Sequence, residues 1–175
     1  FEETEKDADI TWPYKDNKAL SPEANRFVAS IKLANRNIFE TAMADPRFKG
    51  MGTTFVGMVT TESHALIAHV GDSRCYRFRE GKLEQLTEDH SLLNDYKKIQ
   101  KMTPEEEENF PHKNIIVRAL GMKDTVEVDI QDNGPQTGDI LLLCSDGLSG
   151  EVTDDQMCDI VAEHADDLDK GVEVL

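Results

Sequence analysis

Gly138-Asp139-Ile140-Leu141-Leu142-Leu143-Cys144-Ser145-Asp146-Gly147-Leu148 is an apolar run closed abruptly by Ser-Asp-Gly. It reads as a buried strand that delivers a carboxylate to a turn. The five apolar residues from 140 to 144 are too few to span a bilayer, which takes about 20. Gly138 and Gly147 bound them as strand breakers do. Asp146 therefore lies where a core strand surfaces. Two readings of it stand: a cap on the turn or the following helix, or a ligand at a functional site.

Working outward, residues 114–120 and 126–131 read as further strands, with 139–145 as the central one. Residues 53–60, 64–70, 74–79 and 82–86 are short β-prone runs separated by turn residues. Glu80-Gly81 joins the last two as a tight hairpin, which makes that part of the sheet antiparallel. Helices flank these runs. Ser21-Pro22 opens one, with Phe27, Ile31, Ala34, Ile38 and Ala42 at helical spacing, and Asp45-Pro46 closes it. Ser91 caps a second helix carrying Leu92, Leu93, Tyr96 and Ile99. Thr103-Pro104-Glu105-Glu106 and Thr153-Asp154-Asp155-Gln156 are capping boxes; the second turns Met157, Ile160 and Val161 inward. Residues 168–175 begin another helical pattern, and residues 1–20 read as an acidic, polar loop.

At 175 residues the chain is about one domain, with 38% apolar and 31% charged residues. Its formal charge of −16 argues against nucleic acid or an anionic membrane surface as partner and favours cations. Cys75, Cys144 and Cys158 are odd in number and lack metal-ligand spacing, so they read as thiols in a reducing, cytoplasmic compartment. The chain begins at Phe1 without a Met and shows no signal peptide or lipidation motif, so it reads as a piece of something longer.

Val70-Gly71-Asp72-Ser73-Arg74 sets a second carboxylate beside a glycine at a strand-to-strand turn. Hard divalent cations take oxygen ligands, and magnesium keeps several waters while using few carboxylates. Sparse Asp residues at strand ends suit such an ion, although Gly-Asp-Ser is also a common turn sequence. His69, His90 and His112 read as structural residues on a strand, beside a helix cap and in a loop. Arg74 and Arg118 offer either phosphate contacts or pairing with nearby acids.

In order, Gly52-Thr53-Thr54, Ala68-His69-Val70-Gly71-Asp72-Ser73-Arg74, Leu86-Thr87-Glu88-Asp89-His90-Ser91, Arg118-Ala119-Leu120-Gly121 and Ser145-Asp146-Gly147-Leu148 resemble the metal-dependent protein serine/threonine phosphatases (PPM, type 2C), bacterial members in particular. The resemblance runs over residues 50–156. It implies an α+β fold, a four-layer α-β-β-α sandwich with antiparallel sheets, here partial. Residues 1–175 form one incomplete domain of this type, with a flap subdomain at 90–114 that touches protein substrates.

The same resemblance implies dephosphorylation of phosphoserine and phosphothreonine on proteins by water that a pair of Mg or Mn ions activates. A third, weaker ion accompanies the pair. Asp146 matches an aspartate that helps hold the second ion, Asp72 one that binds the third together with Asp146, and Asn114 a flap ligand. The implied partners are a phosphorylated protein substrate and a serine/threonine kinase as counterpart. Four family motifs are not in these residues: the early arginine, the Asn-Gln-Asp or Asn-Glu-Asp stretch, the Asp-Gly-x-Gly-Gly turn and the late Asp-Asn motif. The 175 residues alone are therefore expected to be inactive. The rival reading is a non-catalytic pseudophosphatase that binds a phosphoprotein or a cation through the same scaffold.

Overall fold

A computed structural model describes residues 14–61, 64–112 and 115–175. Residues 1–13 of the loop expected at 1–20, and the expected ligand Asn114, lie outside the described residues. Two units are distinguished: residues up to Val70 with Arg118–Asn133, and Gly71–Val117 with Gly134–Leu175.

In the first unit, the Ser21 hydroxyl accepts the Ala24 amide at 3.2 Å and Pro22 occupies the first turn, so helix α1 (Pro22–Ala44) starts where its caps are satisfied. Asp45 is extended ahead of Pro46 and ends the helix. The inward stripe differs from the expected one at a single step. Ala34 is exposed, and Asn35 is buried in its stead. Its amide donates to the carbonyls of Lys123 and Asp124 at 3.1 and 3.2 Å and accepts the Gly121 amide at 2.8 Å. Three hydrogen bonds satisfy the buried group, which is why a polar residue can occupy an apolar stripe.

Strands β1 (Phe55–Thr60) and β2 (Ala65–Val70) pair antiparallel, and β2 pairs on its other side with β5 (Asp129–Asn133). All six residues of β2 are buried. Leu66, Ala68 and Val70 join Ala24, Phe27, Ile31 and Leu120 in the core, and each large apolar side chain so buried contributes about 1.5–3 kcal/mol. β5 begins later than the expected 126, because its ladder exists only where β2 offers a partner: His69 pairs with Asp129. Val126 and Val128 pack on the core without pairing.

In the second unit, β3 (Arg74–Arg79) is central between β4 (Lys82–Gln85) and β6 (Ile140–Cys144), all antiparallel. The hairpin from β3 to β4 turns on Glu80 and Gly81 with φ of 51° and 75°, the pair of left-handed residues that a two-residue turn requires. The apolar run at 140–144 is thus a strand, yet it pairs with β3 alone among the described residues, and Leu143 is 37% exposed. The buried centre of the sheet is β3, where Cys75 and Tyr76 are fully enclosed.

Helices α2 (Leu92–Ile99) and α3 (Pro104–Glu108) are capped by Ser91 and Thr103, as their sequences lead one to expect. The rings of Tyr96 and Phe110 lie 5.0 Å apart, and Lys97 pairs with Glu107 at 2.7 Å. The expected strand at 114–120 is not one. Ile116 makes a single bridge to Ser91 and Leu120 a single bridge to Thr53, so the segment changes partner before a ladder can form. Helices α4 (Asp146–Ser149), α5 (Asp154–Glu163) and α6 (Leu168–Val174) complete this unit, and Met157 and Val161 of α5 are buried. Among the described residues no helix is long and apolar enough to cross a membrane, and the three cysteines are free thiols.

Candidate metal centre

The antiparallel ladder of β3 and β6 decides where the two expected carboxylates meet. Arg74 pairs with Cys144 at its end. Asp72 lies two residues before Arg74 and Asp146 two after Cys144, so both emerge from the same end of the sheet. Both line a cleft of about 760 Å³, together with Asp89, Lys97, Glu107 and Glu151.

Each carboxylate reaches this place for a local reason. Gly71 adopts a φ of 108°, a backbone region that side chains disfavour, directly before Asp72. Its amide donates to His90 Nδ1 at 3.0 Å, and its carbonyl accepts the His90 amide at 2.9 Å. Asp146 is exposed at the first position of α4, whose cap position is Ser145. It is therefore not the capping residue that the bland reading made it.

The charges around the cleft leave these two acids to themselves. Arg74 forks onto Asp89 with contacts of 2.9, 3.1 and 2.7 Å and also donates to the Tyr76 hydroxyl at 3.0 Å. That pairing raises its pKa further, so its charge is permanent and already matched. The Tyr76 hydroxyl in turn donates a hydrogen bond to Asp154 at 3.1 Å, and burial pushes its pKa up to about 12. Lys97 is matched by Glu107. Among the described residues, neither Asp72 nor Asp146 makes an ion pair.

Burial pushes the Asp72 carboxyl above the ordinary carboxylate range. Its backbone hydrogen bond opposes that, the charges of Asp146 and Asp89 add to it, and Arg74 weakly offsets them. A carboxylate whose charge is disfavoured, with a second one beside it in a cleft whose Arg74 and Lys97 are already paired, suits a divalent cation that takes oxygen donors. The donor set present therefore fits Mg or Mn.

The other expected residues are elsewhere. His69 is buried on β2 in the first unit, and Arg118 of that unit pairs with Asp129 at 2.6 Å, so the structural reading of this arginine holds. His112 is exposed with a φ of 63° in the turn after α3. The lining residues Glu107 and Glu151 carried no sequence signal, since Glu107 belongs to the solvated acidic run 105–108 and Glu151 stands in no quoted motif. Asp89 stood inside a quoted motif, but its union with Arg74 joins residues 15 apart.

Comparison with known proteins shows what the chain is similar to. The protein phosphatase 2C family matches residues 7–172. The serine/threonine phosphatase stp of Listeria welshimeri is 44% identical over 131 residues, 75% of this chain and 52% of its own length. The crystal structure of the Mycobacterium tuberculosis serine/threonine phosphatase PstP/Ppp superimposes with a TM-score of 0.77 at 30% identity, covering 90% of this chain and 68% of that one. The catalytic domain of the protein phosphatase PstP in complex with two manganese ions gives a TM-score of 0.69 at 28% identity over 91% of this chain and 66% of that one. The chain spans about half the length of the curated relatives that it matches first.

Proposed function

The chain belongs to the protein phosphatase 2C family, and from that membership we propose that the full-length protein removes phosphate from phosphoserine and phosphothreonine on proteins with the help of Mg or Mn. The observation that supports this reading most is the meeting of Asp72 and Asp146 at one end of the β3–β6 ladder, in a cleft where Arg74 and Lys97 are already paired.

In this reading Asp146 would help hold an ion of the main pair, and Asp72 with Asp146, and Asn114 as the resemblance implies, would hold a third, weaker one. Bound there, such ions lower the pKa of water toward neutrality and neutralise charge on phosphoryl oxygens. The chain's own residues hold and screen. Asp72 and Asp146 supply anionic oxygen, the Arg74–Asp89 fork keeps a neighbouring acid out of the ligand set, and α2 and α3 wall the cleft where a substrate chain lies. No protein nucleophile is required.

Residues 1–175 are read as one incomplete domain that contains two antiparallel sheets and their flanking helices, with residues 90–114 as its flap. The 175 residues alone are expected to be inactive, since the family's bridging aspartate is not among them. The natural substrate is the product of a serine/threonine kinase. Three free thiols suit a reducing cytoplasm.

Replacing Asp146 in the full-length protein tests the reading. Asp146 is exposed and, among the described residues, makes no ion pair, and its charge repels Asp72, so Asp146→Ala is expected not to lower the melting temperature in EDTA. Turnover of a phosphothreonine peptide is expected to fall by more than about a hundredfold, beyond what loss of an outer-shell partner costs. Undiminished turnover would favour a structural Asp146, and a wild-type protein that binds Mn and the phosphopeptide without turnover would be the pseudophosphatase.

A further inference from the structure

We propose that His90 is the positioning residue for Asp72, clamping the turn that carries this carboxylate to the base of the flap. The inference rests on the metal-centre reading and adds a residue to it.

Gly71 precedes Asp72 directly, and both polar groups of its backbone are held by the same residue. Its amide donates to His90 Nδ1 at 3.0 Å and its carbonyl accepts the His90 amide at 2.9 Å. Gly71 and the His90 side chain are buried, so water does not replace either bond cheaply. An acceptor at Nδ1 also fixes the ring as the neutral tautomer protonated on Nε2.

His90 has a second set of duties at the flap. Its carbonyl accepts the amide of Val117, where the chain returns from the flap, at 2.9 Å. The next residue, Ser91, caps α2 through a 3.3 Å bond from the Asn94 amide and bridges Ile116. One residue thus joins the Asp72 turn, the first helix of the flap and the returning chain. A shift at the flap base is passed through the Gly71 peptide to Asp72, and the seating of Asp72 is passed back. Groups that orient a ligand in this way are typically worth about 10–100-fold in metal affinity.

The test is Mn binding by calorimetry, without substrate, in the full-length protein. His90→Leu keeps bulk and removes the acceptor, whereas His90→Asn places an amide oxygen near the position of Nδ1. His90→Leu is expected to weaken, by about tenfold or more, the Mn site that Asp72→Ala abolishes, and His90→Asn to recover most of that loss. Added to Asp72→Ala, His90→Leu is expected to change the remaining Mn affinity by less than about twofold, because both act on one interaction.

A folded His90→Leu protein with wild-type Mn affinity overturns the positioning role and leaves the metal centre standing. An equal loss with and without Asp72 does the same, since a merely structural defect ignores Asp72. Wild-type Mn binding by Asp72→Ala overturns the metal-centre reading itself, and the positioning role with it. Where His90→Leu does not fold, His90→Asn decides: wild-type affinity supports the role, and a loss of about tenfold in a folded protein overturns it.

Discussion

At Asp72 the fold works against its own stability. Burial disfavours the carboxylate, and Asp146 and Asp89 repel it, so its pKa lies above the unfolded value. A group raised in this way supports folding only below its unfolded pKa, and that support is lost as pH rises through the folded one. At pH 7 the ionised carboxylate is therefore a liability that a bound cation removes. Asp72→Asn is expected to raise the melting temperature in EDTA and to abolish part of the rise that Mn produces. Calorimetric scans with and without Mn check both halves, and a lower melting temperature in EDTA would mark Asp72 as a plain turn residue. Asp72 and Asp146 were legible as candidates because each sits beside a glycine at the end of a β-run within a quoted motif, a setting that ordinary turns also use. Asn35 was not, because helical spacing ranks residues by polarity and has no means of seeing three backbone partners waiting at 121, 123 and 124.

Elements are held in place by pairs that the sequence conceals. Arg79 at the end of β3 forks onto Asp139, just before β6, at 2.7 and 2.6 Å. That pairing, opposed by burial and helped by the Gln136 amide, holds the Asp139 carboxyl at about 2. Because this pKa is depressed, the stability it confers is present above the unfolded value near 4 and lost as pH falls toward 2. The contribution is about 2 kcal/mol. Asp139→Asn should cost that amount at pH 7 and flatten the fall in stability between about pH 4 and 2, as urea titrations at each pH would show. The helix pair α2 and α3, proposed above as the flap, is held more lightly. Tyr96 and Phe110 share one ring contact, worth about 0.5–1.5 kcal/mol. Tyr96→Ala is expected to speed amide exchange across residues 92–112 while the global melting temperature stays put. Equal loss of protection in β3 would show that the flap does not open independently.

Caps and turn chemistry made Ser21, Ser91, Thr103 and Thr153 readable as helix starts, and each is one. Strand limits were less legible, because a strand ends where its partner does. β5 waits for His69 to offer a pairing at Asp129, and residues 115–120 find two partners in succession and ladder with neither. The apolar run at 140–144 announced a strand but not its place, since hydrophobicity measures burial and β6 pairs with β3 alone among the described residues.

For the whole molecule, the formal charge of −16 sets the field in which a cation arrives. With Arg74 and Lys97 spoken for, the cleft adds to that field. Raising ionic strength from about 0.01 to 0.15 M shortens the screening length from about 30 to 8 Å. The Mn concentration for half-maximal binding is therefore expected to rise, and an unchanged value would mean that only the immediate ligands matter. Family membership, the Asp72–Asp146 meeting point and the acidic field converge on one claim, that phosphate is removed only with a divalent cation in place. The direct measurement is hydrolysis of a phosphothreonine peptide by the full-length protein, with Mn and then with excess EDTA. The account predicts turnover with Mn that EDTA abolishes and fresh Mn restores; turnover that survives EDTA would contradict it.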